Sequence, residues 1–144
     1  MNTSLLLPPL RSIEALAPRI AELPYARFLG FSLTGDDSGL VGRMAYDDSR
    51  LGNVTIRALH GGTLGAMMEL TATCELLLLP EILRVPKIIN ITVEYLRSAG
   101  PADVLARASI TRHGRRLANV RVVAWQDDEA RPVAAANTHF LLAV

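Results

Sequence analysis

The sequence predicts an α+β fold in which a curved antiparallel sheet wraps around one long central helix, with an extra helix at the N-terminus. Residues 59–79 are apolar on nearly every side, a pattern typical of a helix that is buried in the protein rather than lying on its surface. Two strand-like segments precede this helix and four follow it, and the last four are separated by short turns. Because the helix must be covered by other elements, we expect one sheet to curve around it.

Length and composition indicate a single domain spanning residues 1–144, because half of the residues are hydrophobic and no linker divides the chain. The only cysteine is Cys74, so no intrachain disulfide can form and nothing points to an oxidising compartment. The net charge of +1 does not favour nucleic acid as a partner. Residues 1–9 lack the basic start of a signal peptide, and residues 59–83 contain three glutamates, so we expect no membrane association and a cytoplasmic location.

The N-terminal helical extension is predicted over about residues 9–23. Apolar residues recur there at helical spacing, with Ser12 as a possible N-cap and Pro24 as the residue that stops the helix. The apolar stripe consists of Leu10, Ile13, Leu16, Ala17 and Ile20.

Two strands are predicted next, at residues 28–33 and 40–46, on either side of a hairpin-type turn at residues 34–39. Residues 47–58 are predicted to form a loop. Pro80 marks the end of the central helix, and the strand-like segments that follow it predict an antiparallel meander. These four segments are residues 88–96, 104–112, 117–125 and 133–142.

The tripeptide His60-Gly61-Gly62 lies where the loop becomes the central helix. Backbone N–H groups in the first turn of a helix have no intrahelical acceptor, and glycine allows a ligand to approach them closely. The helix dipole adds positive potential at this point. Together these features predict a site for a developing oxyanion, and an ordinary glycine-rich start of a helix is the alternative interpretation.

Glu69 lies in the middle of the predicted buried helix, where an unpaired carboxylate is costly and therefore needs a reason. At about 100° per residue, mostly small side chains share its face of the helix and leave room beside it. An apolar setting would also raise its pKa toward a catalytically useful range. Thr73, four residues on, is placed to hydrogen-bond Glu69 or a water molecule. The alternative interpretation is an ion pair between Glu69 and a buried arginine.

Gly61 and Glu69 are separated by about 12 Å along the helix, which is too far for one protomer to bring both groups to the same reacting atom. Two protomers with antiparallel central helices would bring Gly61 of one chain to Glu69 of the other. The spacing therefore predicts a composite site at a dimer interface.

Residues 84–126 carry eight basic and two acidic residues, and fourteen of the fifteen basic residues in the chain are arginine. The planar guanidinium group suits bidentate contacts with phosphate. We expect the phosphate-binding side chains to come from the turn that contains Arg112, Arg115 and Arg116, together with Arg97. The alternative interpretation is that the excess of arginine reflects a general bias in amino-acid composition and that these side chains lie on solvated faces of the strands.

The order of the predicted elements and the pattern of His60-Gly61-Gly62 followed by an acid at Glu69 resemble the hotdog-fold acyl-CoA thioesterases, in particular the phenylacetyl-CoA and 4-hydroxybenzoyl-CoA thioesterase type. The resemblance covers about residues 28–144. It implies a curved sheet around one helix, homodimers or homotetramers, and hydrolysis of an acyl- or aryl-CoA thioester to the free acid and CoA. It implies no metal and no separate cofactor, since CoA is part of the substrate.

By the same resemblance, the Gly61 N–H would polarise the thioester carbonyl, with His60 and Gly62 beside it contacting the substrate. Glu69 of the partner subunit would be the nucleophile or the general base toward water. Thr73 matches the helper threonine of members that use glutamate, and Asn53 resembles the asparagine or glutamine that helps place the water or the carbonyl.

Two departures from the family pattern bear on the placement of water. Some members carry a serine or threonine early in the next strand, where this chain has Ile88 and Ile89. Asn53 also lies one residue further from His60 than the family pattern has it.

Other functions remain open from the sequence alone. A hotdog protein could bind acyl-CoA without hydrolysing it, although a pure binder has no need of a buried acid at Glu69. A hydratase of the same fold would pair a catalytic histidine with an acid at other spacings. In a purely structural oligomer, Glu69 would pair with an arginine such as Arg57. The sequence allows medium-chain and aryl acyl groups alike.

Overall fold

A six-stranded antiparallel sheet curves around one long helix in the computed structural model, which describes residues 11–142. This confirms the predicted fold class. The helices are α1 (Ile13–Ala21), α2 (Pro24–Leu29) and α3 (Gly61–Leu77). The strands are β1 (Phe31–Asp36), β2 (Gly39–Met44), β3 (Leu51–Asn53), β4 (Ala58–Leu59), β5 (Lys87–Tyr95), β6 (Val104–His113), β7 (Leu117–Trp125) and β8 (Ala134–Leu141).

The strand order in the sheet is β1-β2-β6-β7-β8-β5, and all neighbours are antiparallel. The meander predicted for the last four strands is confirmed for β6, β7 and β8 and is wrong for β5. Strand β2 occupies the side of β6 that β5 would take in a simple meander, so β5 pairs with β8 at the far edge. The segment that joins β5 to β6 crosses beside the start of α3, where the Leu59 N–H donates to the Ala99 carbonyl (2.9 Å).

Residues 11–30 contain two helices rather than one. Ser12 caps α1 as predicted, with its hydroxyl accepting from the Ala15 N–H (3.1 Å). Pro24 begins α2, because proline suits the first turn of a helix, and Gly30 ends it in the left-handed region (φ 62°). The first strand therefore starts at Phe31 and not at Phe28. Residues 9 and 10 of the predicted helix lie outside the described residues. Residues 1–9, for which the sequence predicts no signal peptide, lie outside them as well.

The predicted loop at residues 47–58 holds more structure than expected. A 3₁₀ turn at Asp48–Arg50 leads into the two-stranded sheet of β3 and β4. The central helix is two residues shorter at each end than predicted, running from Gly61 to Leu77.

The core lies between α3 and the inner face of the sheet, and α1 packs against β1 beside it. Its largest fully buried side chains include Leu16, Ile20, Met67, Met68 and Phe140. Strand β5 is less well covered, because its inner-facing residues are only half-buried and Tyr95 is exposed. Among residues 11–142, no helix has both the length and the apolar character needed to cross a membrane.

Candidate active site

The Gly61 N–H in the first turn of α3 is a free backbone donor among the described residues. The His60 side chain caps the helix, its Nδ1 accepting from the Gly62 N–H (2.8 Å). The His60 carbonyl accepts from the N–H and the hydroxyl of Thr63 (3.0 and 2.7 Å). No group in residues 11–142 accepts a hydrogen bond from the Gly61 N–H. Gly61 therefore offers an unpaired N–H at the positive end of the helix dipole, while Gly62 has its N–H satisfied within the turn.

Tyr95, at the end of β5, packs on Gly61 and was not singled out from the sequence. Its hydroxyl donates to the Gly61 carbonyl (2.9 Å). A Cβ at position 61 would lie 2.9 Å from two ring carbons of Tyr95 and 3.0 Å from its hydroxyl oxygen, so the ring needs a glycine beneath it. Nothing in the local sequence signals this contact, because it joins residues 34 positions apart.

A cleft of about 360 Å³ opens beside Gly61. Arg97 lines it and is exposed, which leaves the guanidinium group accessible to an anion. The other lining residues are Ala58, Leu59, Leu64, Tyr95, Ser98 and Ala99.

Glu69 is half-buried on α3, and no hydrogen bond or ion pair joins its carboxylate to another side chain of residues 11–142. Burial raises the pKa of the Glu69 carboxyl above its ordinary value. Arg57 is engaged elsewhere, with its guanidinium group contacting the Tyr46 hydroxyl (2.9 Å) and the Asp48 carboxylate (3.3 Å). Within one chain, the proposed Glu69–Arg57 pair is therefore not formed.

The Thr73 hydroxyl donates to the main-chain carbonyl of Glu69 (2.9 Å) and not to its carboxylate. The Thr73 oxygen keeps its capacity to accept a hydrogen bond, for example from a water molecule.

Asn53 is exposed, and its side-chain oxygen accepts from the N–H groups of Thr55 (3.0 Å) and Ile56 (3.4 Å). In a single chain, Asn53 thus stabilises the turn between β3 and β4.

Glu69 lines a cleft of its own, which has a volume of about 110 Å³. The cleft is lined by Ile20, Leu23, Glu69, Leu70, Thr73, Cys74, Val85, Pro86 and Ile88. It shares no residue with the cleft beside Gly61. One protomer therefore holds the acid and the free N–H donor on the same helix but in different clefts.

The end of β6 and the residues that join it to β7, together called the turn below, carry Arg112, Arg115 and Arg116, all exposed. No carboxylate of the described residues lies within ion-pair distance of these three side chains, whereas the Nδ1 atom of the neighbouring His113 lies 3.2 Å from Oε1 of Glu81. The turn borders two cavities of about 800 and 450 Å³. It is thus accessible to an anionic ligand.

Arg97 lies at the other end of the sheet from this turn. Leu117, which follows the turn, pairs with Leu141, and Leu141 pairs with Lys87 at the start of β5. Arg97 follows the opposite end of β5. The arginines grouped together from the sequence are therefore separated within one chain.

A sequence profile described as the acyl-CoA thioesterase N-terminal domain matches residues 50–141. The chain belongs to the hotdog thioesterase family. Among proteins of curated function, none matches it. A crystal structure of a Chromobacterium violaceum protein is 38% identical, with 93% of each chain covered and a TM-score of 0.75. A phenylacetic acid degradation-related protein from Ralstonia eutropha is 25% identical, covering 90% of this chain and 98% of its own, with a TM-score of 0.76.

A Bacillus halodurans protein crystallised with CoA shares the fold, with 17% identity, coverage of 87% of this chain and 84% of its own, and a TM-score of 0.73. Among residues 11–142 of this hotdog thioesterase-family chain, α3 carries both a free backbone donor and an unpaired carboxylate. These are the two groups that acyl transfer to water requires, a donor for the oxyanion and a base or nucleophile.

Proposed function

We propose that this protein hydrolyses an acyl-CoA thioester to the free acid and CoA, with Glu69 from one protomer and the Gly61 N–H from its partner. The observation that carries this proposal is the unpaired, half-buried carboxylate of Glu69 on a helix whose first N–H group is also unpaired. A half-buried carboxylate without a partner is costly in a purely structural helix, and the partly exposed Gly61 N–H is free to bind an acceptor.

In the general-base route, Glu69 takes a proton from water, and the water oxygen attacks the thioester carbonyl carbon. The Gly61 N–H of the partner subunit donates to the oxygen that becomes negative. The C–S bond then breaks, and the CoA thiolate leaves and receives the proton from Glu69. In the nucleophilic route, the Glu69 carboxylate attacks the carbonyl and forms an anhydride as the thiolate leaves, and water then hydrolyses the anhydride.

The exposed edge of β5 supports a homodimer that would join the two clefts. The Glu69 cleft reaches Val85 and Ile88 at the start of β5, and the Gly61 cleft reaches Tyr95 at its end. Antiparallel pairing of β5 with the same strand of a second copy would set the start of one strand against the end of the other. Such pairing would also provide hydrogen-bond partners for the backbone N–H and C=O groups at the free edge of β5. It would cover the half-buried inner face of the strand as well.

The same pairing would bring Arg97 of the partner subunit toward the end of the sheet that carries the turn with Arg112, Arg115 and Arg116. We propose that these arginines bind the CoA phosphates, because none of the three in the turn has a carboxylate partner among the described residues. The fold neighbour crystallised with CoA supports a ligand of this type.

Hydrolysis of a panel of acyl-CoA thioesters by the wild-type protein and by Glu69→Gln tests the proposal. The amide is nearly isosteric but can neither attack nor accept a proton, so turnover should fall by at least ~10²–10⁴-fold while acyl-CoA binding persists. A variant with near-normal kcat would end the catalytic assignment of Glu69. A wild-type protein that binds acyl-CoA without turnover would instead be a binding protein.

A further inference from the structure

Arg50 is a buried arginine without a carboxylate partner. It is only 8% exposed, and among residues 11–142 no carboxylate forms an ion pair with it. Its guanidinium group donates instead to the main-chain carbonyls of Phe28 (2.8 Å) and Ala45 (3.2 Å). Its Nε is buried and has no hydrogen-bond partner in the described part of the chain. Because a buried cation without a counter-charge is costly, we looked for what these contacts achieve.

The guanidinium group of Arg50 joins two elements that are separate in the sequence. Phe28 lies in the last turn of α2, where main-chain carbonyls have no intrahelical donor, and Ala45 directly follows β2. The group lies against Gly30, where a Cβ would be 3.0 Å from Nη2 of Arg50. Arg50 is itself the last residue of the 3₁₀ turn that leads into β3. Its side chain therefore fastens the start of β3 to the ends of α2 and β2.

The hairpin formed by β3 and β4 has few other anchors. Residues 52–57 are all exposed, and within residues 47–58 Arg50 is the one buried residue. Arg57 contacts Asp48 from the hairpin, but both side chains are more than half exposed, and such ion pairs contribute little to stability. The position of the hairpin thus depends strongly on Arg50.

The main chain of Arg50 contacts the start of α3. Its carbonyl accepts from the N–H of His60 (2.8 Å), which is the N-cap residue of α3. The next residue is Gly61, whose N–H is the proposed oxyanion donor. We propose that Arg50 is a positioning residue, whose buried guanidinium group fixes the main chain at His60 and thereby the direction of the Gly61 N–H. This inference rests on the thioesterase function proposed above.

A positioning role for Arg50 should affect kcat rather than KM. Hydrogen bonds weaken steeply as the donor turns away from the acceptor, and a displacement of about 1 Å in an active site can lower the rate by about 10²-fold. Arg50 lines neither the cleft beside Gly61 nor the cleft beside Glu69. Its replacement therefore removes no contact with the substrate, and only the donor that acts in the transition state is disturbed.

The experiment compares Arg50→Met with the wild type, because methionine keeps an unbranched apolar side chain and removes the donors. With the best substrate of a panel from acetyl-CoA to decanoyl-CoA, with benzoyl-CoA added, kcat should fall by about 10–100-fold and KM should stay close to the wild-type value. Arg50→Lys, which keeps the charge but not the planar fork, should regain part of kcat. Hydrogen exchange of the His60 amide, followed by NMR, should become at least about tenfold faster in Arg50→Met.

Arg11→Met is the matched control. The Arg11 guanidinium group also donates to main-chain carbonyls, those of Pro80 (2.8 Å) and Ile82 (3.0 Å), but these lie beyond the opposite end of α3. None of these three residues lines either cleft. Arg11→Met should lower the thermal midpoint and leave kcat and the exchange of the His60 amide unchanged. If the methionine variants do not fold, Arg50→Lys and Arg11→Lys give the same comparison with a milder change.

A wild-type kcat in Arg50→Met, or an equal fall of kcat in the Arg50 and Arg11 variants, would overturn the positioning role while leaving the thioesterase function intact. Unchanged exchange of the His60 amide in Arg50→Met would overturn the anchoring of His60 by Arg50. No turnover of any thioester by the wild type would instead overturn the proposed function, and the effect of Arg50 on catalysis with it.

Discussion

Replacing Gly61 with alanine tests the proposed role of its N–H as the oxyanion donor separately from the contribution of this residue to stability. The new Cβ would lie 2.9 Å from two carbons of the Tyr95 ring and 3.0 Å from its hydroxyl oxygen, closer than real Cβ contacts allow. Because the Tyr95 side chain is 57% exposed, the ring can swing away into solvent rather than force the helix to move.

The expected stability change in Gly61→Ala is small. Displacing the ring breaks the hydrogen bond from the Tyr95 hydroxyl to the Gly61 carbonyl, which costs about 0.5–1.5 kcal/mol. Alanine in place of glycine in a helix recovers up to about 1 kcal/mol. The two effects nearly cancel, so the thermal midpoint should change by less than about 5 °C.

The expected change in turnover is large. The new methyl group takes up space beside the Gly61 N–H in the cleft, so we expect the oxyanion to lose its donor. The loss of one such donor lowers kcat by about 10²–10³-fold. The assay is kcat with the best acyl-CoA of the panel, together with thermal unfolding of the same preparation.

Two further variants make the comparison specific. Tyr95→Phe removes the hydroxyl but keeps the ring, so it should lose stability without blocking the N–H. Gly65→Ala serves as the stability control, because its Cβ would lie 3.7 Å from the nearest atom, an ordinary contact. Near-normal kcat in Gly61→Ala would refute the assignment of Gly61 as the oxyanion donor.

Three further predictions concern the acid, the phosphates and the assembly. Because burial raises the pKa of Glu69, the folded protein binds this proton more tightly than the unfolded chain does, and its ionisation lowers stability as the pH rises through that raised pKa. Glu69→Gln should therefore have a higher melting temperature than the wild type at neutral pH, and the difference between the two melting temperatures should disappear below about pH 4. If the variant instead loses about 3–5 kcal/mol in unfolding free energy, Glu69 belongs to a buried ion pair. Arg115→Ala combined with Arg116→Ala should raise KM by roughly tenfold with little change in kcat, and the wild-type KM should rise with salt; an unchanged KM would place the phosphate site elsewhere. Sedimentation should show a dimer or a dimer of dimers, and thioester hydrolysis should fall with dissociation on dilution, so an active monomer would defeat the composite site.

Features that depend on neighbouring residues in the chain could be predicted from the sequence. Helical spacing and the proline at position 80 located the central helix to within two residues at each end, and Ser12 was identified as the cap of α1. The position of His60-Gly61-Gly62 at the start of that helix, and of Glu69 near its middle, followed from the same local periodicity. Because a helix repeats every few residues, its buried face and its free ends can be read from a short stretch of sequence.

Contacts between distant parts of the chain could not be predicted from the sequence. The place of β5 at the edge of the sheet depends on β2 occupying the side of β6, and no local pattern records that competition. The ring of Tyr95 reaches Gly61, and Ile20 reaches the cleft beside Glu69, only after the sheet has closed around α3. The register of strands that are far apart in sequence is set by packing against a shared core, and that packing exists only in the folded chain.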